Sequence, residues 1–325
     1  MSGENGADWR PTATMTALRR RAALLARTRE FFAARGVLEV ETPLLGAAGP
    51  SDPQIESLVT EVTGMRGRLF LSTSPEFHMK RLLAAGSGDI YQLCKAFRDA
   101  ERGRWHNPEF TLLEWYRAGF DDAAMMAEVE RLVAGVLAPE RELPPAERLT
   151  YGEALRRHAG IDAYTASERD LMDAATERGI VCKAGLERDT MLDLLMGFVV
   201  GPRLGVDRPC FVHDYPASQA SLARLKSGLP PVAARFELYL DGIELANGFH
   251  ELADSSEQRD RFARDLAIRR KRGQAQPPVD ERLLAALAAG IPDCSGVALG
   301  FDRLVAIALK ATSLSQAMAF SIDSA

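Results

Sequence analysis

Apolar and polar positions recur with two periods along the chain, and these periods predict where helices and strands lie. Helical spacing covers residues 16–35, and Gly36 follows as a C-cap. The same spacing predicts helices at residues 76–84, 123–137, most of 149–200, 255–272 and 281–289. The chain is therefore expected to be rich in helices.

Strands are predicted for the shorter runs between the helices, at residues 37–42, 69–71, 90–97, 110–116, 210–213, 235–240 and 243–246. Pro43 ends the first of these strands. Strands separated by long helical stretches, with tight hairpins among them, favour an α+β fold over a repeating βαβ pattern. The Pro- and Glu-rich residues 139–148 are interpreted as a surface connection within one domain.

The composition is that of an ordinary globular protein. Of the 325 residues, 46% are hydrophobic and 26% charged, and the formal net charge of -5 provides no global positive field for nucleic acid. No apolar run approaches the roughly 20 residues of a membrane span. The four cysteines lack metal-binding spacing and are interpreted as small buried residues in a reducing compartment. We therefore expect a cytoplasmic protein without a membrane partner.

The segment 235–251 is the most informative about chemistry. Asp241-Gly242 between two alternating runs predicts a two-residue hairpin, in which Tyr239 faces Glu244. Glu237 then lies diagonal to Glu244 on the same face, within reach of one shared divalent ion. A solvated strand face with cross-strand Arg or Lys partners explains the same pattern, and the segment alone favours that interpretation.

The position of Glu251 is harder to predict. It follows Glu244 by seven residues, and in a straight strand this odd interval points the two side chains to opposite faces. Asn247-Gly248 could supply a bulge that redirects Glu251. The sequence leaves both possibilities open.

A second segment, residues 97–116, places an arginine before a charged loop. Arg98 follows a predicted strand and could clamp a phosphate through its planar guanidinium. Four residues of the next strand alternate and so share one face: Phe110, Leu112, Glu114 and Tyr116. A charged surface hairpin, with Trp115 as a core anchor, is the alternative interpretation.

The third segment, residues 296–304, is a glycine-flanked strand that leads into a helix. Small residues in such a strand let a ligand approach the backbone closely. Arg303 near the helix start could meet an anionic group. This pattern alone is weak evidence, because glycine before a helix is common.

In this order the segments resemble the three signature motifs of the class II aminoacyl-tRNA synthetases. Residues 36–43 resemble motif 1, whose helix and strand form a dimer interface, residues 97–117 resemble motif 2, and residues 296–304 resemble motif 3. Residues 106–111 and 242–249 are similar to the lysyl-type enzymes. The resemblance implies a catalytic fold with an antiparallel sheet flanked by helices, and a homodimer.

Three further stretches narrow the resemblance to paralogues of lysyl-tRNA synthetase that modify a translation factor, elongation factor P. These stretches are residues 74–83, 216–223 and 293–300. Motif 1 begins at residue 36, which leaves no room for the anticodon-binding OB-fold of about 100 residues that lysyl-tRNA synthetases carry. We therefore expect a single catalytic domain over residues 1–325, and a protein lysine rather than tRNA as the acceptor.

The resemblance also implies three sets of site residues and the use of ATP and Mg²⁺. The ATP-binding residues are Arg98, Asp99, Ala100, Glu101, Asn107, Glu244, Leu245, Gly300 and Arg303. Within this set Arg98 and Arg303 are the catalytic pair, meeting the α- and γ-phosphates. The metal ligands are Glu237 and Glu244. The amino-acid pocket consists of Ser74, Pro75, Glu76, Tyr116, Asn247, Glu251 and Ala298.

The chain departs from the family pattern at two positions. Motif 2 usually begins Arg-x-Glu, but here Ala100 occupies the Glu position, so either Glu101 or a backbone group takes over the adenine contact. Ala298 stands where lysyl-tRNA synthetases commonly have glycine. Its methyl group reshapes the pocket floor and is compatible with a β-amino acid.

The expected function is ATP-dependent activation of (R)-β-lysine or lysine as an adenylate, followed by transfer to a lysine ε-amine of elongation factor P. One alternative is a truncated lysine-activating enzyme with another acceptor, such as tRNA or a small amine. A second alternative is an inactive paralogue that acts as a regulatory subunit. Arg98, Glu237, Glu244 and Arg303 argue against the inactive form, whereas Ala100 keeps it open.

Overall fold

The computed structural model describes residues 9–183 and 185–325, and its elements are numbered in chain order. The strands are β1 (Leu38–Glu39), β2 (Leu45–Gly46), β3 (Val59–Thr60), β4 (Leu69–Leu71), β5 (Ile90–Phe97), β6 (Glu109–Ala118), β7 (Glu147–Thr150), β8 (Cys210–Pro216), β9 (Leu225–Lys226), β10 (Val232–Leu240), β11 (Ile243–His250) and β12 (Cys294–Gly300). The α-helices are α1 (Met15–Ala33), α2 (Glu76–Ala84), α3 (Asp122–Leu137), α4 (Tyr151–Ala159), α5 (Glu168–Glu177), α6 (Arg188–Leu195), α7 (Ser255–Lys271), α8 (Glu281–Ala289) and α9 (Phe301–Leu309).

A large mixed sheet forms the centre of the fold. Within the described ranges it has nine strands, in the order β1-β5-β6-β12-β11-β10-β8-β7, with β9 paired to β10. The central pairs are antiparallel, and the two pairs at the edges, β1 with β5 and β7 with β8, are parallel. The α+β class with a largely antiparallel sheet and flanking helices is thus confirmed.

One face of this sheet carries the main hydrophobic core. Helices α1, α3 and α9 cover it, and Trp115 of β6 is fully buried among them. The Trp115 indole donates a hydrogen bond to Glu128 at 3.2 Å, so its polar atom is satisfied in the core. The interpretation of Trp115 as a core anchor is confirmed, and the alternating residues of β6 point to the other face.

Residues 147–204 contribute a second apolar cluster at the far end of the sheet. Helices α4, α5 and α6 pack there with β7 and β8, and Tyr239 of β10 joins the same cluster. The Pro- and Glu-rich stretch that precedes α4 ends in β7, which pairs with β8 in the large sheet. The cluster therefore rests directly on strands that also carry the main core.

The first predicted strand is shorter than expected. The sequence predicted residues 37–42, whereas β1 comprises only Leu38–Glu39, although the Val40 amide still donates to the Tyr91 carbonyl at 2.9 Å. After Val40 the chain leaves the edge of the large sheet and enters a small sheet of order β2-β4-β3. The alternation of apolar residues could not indicate where the pairing partner ends.

None of the helices within residues 9–183 and 185–325 combines the length and apolar character needed to cross a membrane. The longest of them, α1, begins with a Thr14 side chain that accepts a hydrogen bond from the Ala17 amide. It ends at Ala33 with Ala34 as the C-cap residue, earlier than the predicted end at residue 35, and Gly36 follows with a φ of 66° in the left-handed region.

Candidate active site

The strand register aligns polar residues from four strands in one row. Glu114 of β6 pairs with Ala298 of β12, which pairs with Asn247 of β11, which in turn pairs with Glu237 of β10. Residues directly opposite each other in a sheet share a face. This face is opposite the Trp115 core and forms the floor of a cavity of about 1560 Å³.

A β-bulge in the β10–β11 hairpin brings the carboxylates of this face together. Tyr239 pairs with Glu244 as predicted, but Leu238 pairs with Ala246, so Leu245 is an extra residue on β11. One inserted residue reverses the alternation that follows it. Glu244, Asn247 and Glu251 therefore all line the cavity despite their odd spacing. The bulge lies at Leu245 and not at Asn247-Gly248, where the sequence suggested it.

Each of the two predicted metal ligands lies beside an arginine. Glu237 accepts hydrogen bonds from Arg235 and from the Tyr239 hydroxyl, both at 2.6 Å. The Glu244 carboxylate lies 3.8 Å from the guanidinium of Arg303. Burial and the charge of Glu237 raise the pKa of Glu244, since the two carboxylates repel each other.

Two carboxylates on one cavity wall suit Mg²⁺, which commonly binds proteins through one or two carboxylates together with substrate phosphates. Within the described ranges no group of three or more His, Cys, Asp or Glu side chains is arranged to hold a metal ion. The donor set is thus too small to be a metal cage formed by protein alone. It fits an ion that is shared with a phosphorylated substrate.

The two predicted phosphate-binding arginines line the same cavity. Arg98 lies over the Phe110 ring at 5.1 Å, and its guanidinium is 3.3 Å from Glu101. Its Nε donates to the Thr73 carbonyl at 3.4 Å. This ion pair is half-buried, and both of its residues line the cavity, so a phosphate that enters the cavity can replace Glu101 as the partner of Arg98.

Arg303 is held from three sides at the start of α9. Its Nη1 donates to the Glu244 carbonyl at 2.7 Å and its Nε to the Trp105 carbonyl at 3.3 Å. Its Nη2 lies 2.9 Å from Nε2 of His106. Burial and the adjacent positive charge lower the pKa of His106, which lets a neutral imidazole accept from the guanidinium.

The other end of the cavity is acidic and deeply buried. The Tyr116 hydroxyl donates to Glu114 at 2.7 Å, and burial together with the charge of Glu76 raises the pKa of Glu114 to about 8. Burial also raises the pKa of Glu251, to about 7, although Lys80 opposes this shift. Carboxylates with such pKa values are ready to ionise when a cation arrives.

Lys80 is a buried cation at the acidic end of the cavity that the sequence analysis missed. Its ammonium group lies 2.7 Å from Glu76 and 2.6 Å from Glu251, and the residue is 1% exposed. The contact between Lys80 and Glu76 could have been predicted, because Lys80 follows Glu76 by four residues on a predicted helix. The contact with Glu251 joins residues 171 positions apart in sequence and had no local signal.

A glycine makes room for this acidic end. A Cβ atom on Gly296 would lie 2.3 Å from Cε1 of Tyr116 and 2.4 Å from Oε1 of Glu251. Such distances are far below van der Waals contact. The small residue in β12 therefore serves the approach of two pocket side chains, whereas the sequence suggested the approach of a ligand to the backbone.

Helix α6 adds an acidic wall that had no motif in the sequence. Asp189 accepts a hydrogen bond from Ser218 at 2.9 Å, and Asp193 accepts one from Gln219 at 3.0 Å. Both aspartates line the cavity, and burial raises the pKa of Asp193 to about 6. This wall favours cationic groups near the cavity.

The family model described as "tRNA synthetases class II (D, K and N)" matches residues 4–324. The chain belongs to this family. It is 50% identical over 325 residues to proteins named "Elongation factor P--(R)-beta-lysine ligase" from Salmonella dublin, Salmonella paratyphi B and Salmonella heidelberg. In each case 98% of this chain and 99% of the relative are aligned.

Most site residues implied by the class II synthetase motifs line the cavity: Ser74, Glu76, Arg98, Glu101, Asn107, Tyr116, Glu237, Glu244, Leu245, Asn247, Glu251, Ala298, Gly300 and Arg303. Their roles as ligands of ATP, metal or amino acid stay predictions. Pro75, Asp99 and Ala100 do not line it. Pro75 precedes α2 as its N-cap residue, and the Asp99 carboxylate accepts a hydrogen bond from the Ala100 amide at 2.8 Å.

The structure around Ala100 differs locally where the sequence departs from motif 2. Ala100 has a φ of 60°, in the left-handed region, and like Asp99 it does not line the cavity, whereas the next residue, Glu101, does. Of the two replacements considered for the missing carboxylate, the geometry favours Glu101. Its carboxylate at present pairs with Arg98.

Asn107 is already engaged by the backbone. Its Nδ2 donates to the Glu109 carbonyl at 2.6 Å, and its Oδ1 accepts from the Ile322 amide at 3.0 Å. The side chain thus ties the start of β6 to the C-terminal segment. Asn107 therefore has a structural role and also lines the cavity.

Proposed function

We propose that this chain is an AMP-forming ligase that activates (R)-β-lysine or lysine with ATP and transfers it to a lysine ε-amine of elongation factor P. The 50% identity to ligases of that name over almost the whole chain supports this proposal. The observation that carries it is one continuous cavity, with arginines at one end and a buried acidic pocket at the other. We also propose that residues 1–325 act as a single catalytic domain, since the two largest apolar clusters rest on the same sheet.

In the activation step, the substrate carboxylate attacks the α-phosphate and pyrophosphate leaves. Arg98 binds the α-phosphate and Arg303 the γ-phosphate, so that positive charge lies where negative charge develops. Glu237 and Glu244 would hold Mg²⁺, which would supply further neutralisation of the phosphates. The chain supplies position and charge, and none of its side chains acts as a nucleophile.

The acidic pocket selects the amino acid. A lysine-like substrate carries two ammonium groups, and each needs a partner once it is removed from water. Glu76, Glu114 and Glu251 supply carboxylates, and the Tyr116 hydroxyl donates to Glu114. The methyl group of Ala298 lies on the floor between Glu114 and Asn247, and we propose that it shapes the pocket for a β-amino acid.

The assembly is proposed to be a cytoplasmic homodimer that does not act on tRNA. Leu38 is an exposed apolar side chain in motif 1 (residues 36–43), where the family resemblance places a dimer interface, and further exposed apolar side chains follow the motif: Leu44, Leu45, Val59, Val62 and Met65. Apolar surface of this kind is typical of an interface between subunits.

The first test is the Arg98→Ala variant in an ATP–pyrophosphate exchange assay. We expect exchange to be lost while folding, followed by circular dichroism, is intact, because the variant lacks the guanidinium that stabilises the charge developing at the α-phosphate. The matched control is Arg102→Ala, in the same loop, whose side chain is paired with Asp323 outside the cavity. Exchange retained by Arg98→Ala would contradict the assignment.

The second test identifies the acceptor. Elongation factor P is incubated with the protein, ATP and either α- or β-lysine, and its mass is measured. A mass gain on the factor supports the ligase. Adenylate without transfer favours a lysine-activating enzyme with another acceptor, and the absence of adenylate favours a regulatory paralogue.

A further inference from the structure

Lys80 is a buried cation placed behind the amino-acid pocket. It lies one helical turn after Glu76 on α2, and its ammonium group bridges Glu76 at 2.7 Å and Glu251 at 2.6 Å. Both carboxylates line the cavity, whereas Lys80 does not and is 1% exposed. Lys80 can therefore act on a bound substrate only through the two carboxylates that it holds.

The Lys80 side chain is charged in this environment. Burial alone would lower its pKa, but the negative charges of Glu251 and Glu76 outweigh burial and raise the pKa above its ordinary value. Removing one partner from a buried ion pair is costly, because it leaves an uncompensated charge. The ammonium group and the two carboxylates thus form one electrostatic unit.

The charge of this unit, taken together with that of the neighbouring Glu114, can be compared with the charge of the substrate. Glu76, Glu114 and Glu251 carry three negative charges when ionised, and Lys80 carries one positive charge, which leaves a surplus of two negative charges. A lysine-like substrate whose carboxylate has been converted to an acyl-adenylate presents two ammonium groups to this end of the cavity. The surplus on the protein matches the charge of those two groups.

Other ionisable groups around the unit leave this balance unchanged. Arg224 lies near Glu251 but pairs with Asp293 at 2.6 Å, and His250 lies 2.9 Å from the same aspartate. Burial raises the pKa of Cys294 to about 12 and that of Tyr116 well above its ordinary value, so both are neutral near pH 7.

We propose that Lys80 is a positioning residue of the amino-acid pocket. Its ammonium group holds the carboxylates of Glu76 and Glu251 together, and its charge sets the net charge of the pocket to match a substrate with two ammonium groups. This inference rests on the proposed lysine-activating function. Lys80 does not touch the substrate; it fixes how many carboxylate charges remain for it.

Loss of the Lys80 charge is expected to change the number of protons that the pocket binds. Without Lys80 the three carboxylates repel one another, and the empty pocket takes up an additional proton near neutral pH. A substrate must then displace that proton in order to pair with the carboxylates. Proton release on binding therefore increases by up to about one, and affinity falls about tenfold for each unit by which the carboxylate pKa exceeds the assay pH.

The experiment is calorimetric binding of α- and β-lysine to the full chain at neutral pH, in buffers of different ionisation enthalpy, which reports affinity and proton release together. The variants are Lys80→Met, which removes the charge at similar length, and Lys80→Arg, which keeps it. Lys226→Met is the matched control, because Lys226 also bridges two carboxylates, Asp122 at 2.5 Å and Asp214 at 2.7 Å, outside the cavity. Binding of a non-hydrolysable ATP analogue to each variant verifies the fold of the nucleotide end.

We expect Lys80→Met to bind lysine at least about tenfold more weakly and to release more protons, with binding of the ATP analogue unchanged. Lys80→Arg should preserve the wild-type proton release, and Lys226→Met should match the wild type in both respects. If Lys80→Met does not fold, Lys80→Gln takes its place, since the amide can hydrogen-bond both carboxylates without a charge.

The experiment distinguishes a failure of the proposed function from a failure of the proposed role of Lys80. If the wild type binds neither form of lysine, the proposed function is wrong. If the wild type binds lysine and the uncharged variants do so with the same affinity and the same proton release, the role of Lys80 is overturned while the proposed function stands. Weaker binding with unchanged proton release would also overturn it, because that result indicates a purely steric role.

Discussion

The Gly296→Ala substitution tests how closely the amino-acid pocket is packed. The added Cβ atom would lie 2.3 Å from Cε1 of Tyr116 and 2.4 Å from Oε1 of Glu251. Because carbon atoms pack at about 3.5–4.0 Å, the ring must move by more than about 1 Å. The strand cannot yield instead, since β12 is hydrogen-bonded to β6 on one side and to β11 on the other.

The expected effect combines a selective loss of binding with a modest loss of stability. Misplacement of a binding group by about 1 Å can cost on the order of 100-fold, and overpacking typically costs about 1–3 kcal/mol. We therefore expect the KM for lysine in ATP–pyrophosphate exchange to rise about 100-fold, because Tyr116 and Glu251 are displaced together. The KM for ATP should change little, since the arginines lie at the other end of the cavity.

The control is Gly248→Ala, in the neighbouring strand. A Cβ atom there would lie 2.3 Å from Cζ of Phe236 in the main core and 3.0 Å from the Gly296 carbonyl oxygen, so the main clash is equally severe but is with a side chain outside the cavity. We expect a comparable loss in the free energy of unfolding without a selective change in the KM for lysine. A wild-type KM for lysine in Gly296→Ala would refute the packing argument, as would an equal rise in both variants.

Two further predictions concern ionisation and Asn107. The KM for lysine should fall as the pH rises from about 6 to about 8, because only ionised carboxylates pair with ammonium groups. Burial raises the pKa of Glu114 to about 8 and that of Glu251 to about 7, so both ionise over this range. A KM for lysine that does not change between these pH values contradicts the prediction. Asn107→Ala should lower the free energy of unfolding in urea by about 1–3 kcal/mol, because the Asn107 amide ties Glu109 to Ile322. Unchanged stability with weaker ATP binding would instead favour a role confined to the nucleotide.

The periodicity of apolar residues predicted most of the fold. Helix α8 (Glu281–Ala289) and strand β5 (Ile90–Phe97) have the predicted bounds. In α8 the buried residues Leu283, Leu284 and Leu287 recur with the helical period. The strand predicted at residues 37–42 was too long, since the end of an edge strand depends on its partner. Local patterns thus locate elements, and long-range pairing decides where they stop.

The sequence predicted the parts of the candidate site that depend on local motifs, but not those that depend on contacts between distant residues. The hairpin at Asp241-Gly242 and the pairing of Tyr239 with Glu244 followed from turn chemistry and are confirmed. The bulge at Leu245 was not visible, because a bulge is defined by two strands and its residue has no special side chain. The contact between Lys80 and Glu251 was likewise beyond the sequence, since it joins a helix to the end of a distant strand.

The charge distribution of the cavity explains why the amino-acid pocket and the phosphate-binding arginines lie on one face of the sheet. Gly296 and Gly300, at the acidic and the arginine end of β12, are four residues apart, which is about 14 Å along an antiparallel strand. A substrate with ammonium groups at one end and phosphates at the other has one favourable orientation in such a field. Ala298 lies midway, so we expect the carboxylate to meet the α-phosphate above it. The bulge at Leu245 makes this arrangement possible, because without it Glu244 at the phosphate end and Glu251 at the ammonium end would face opposite sides of the sheet.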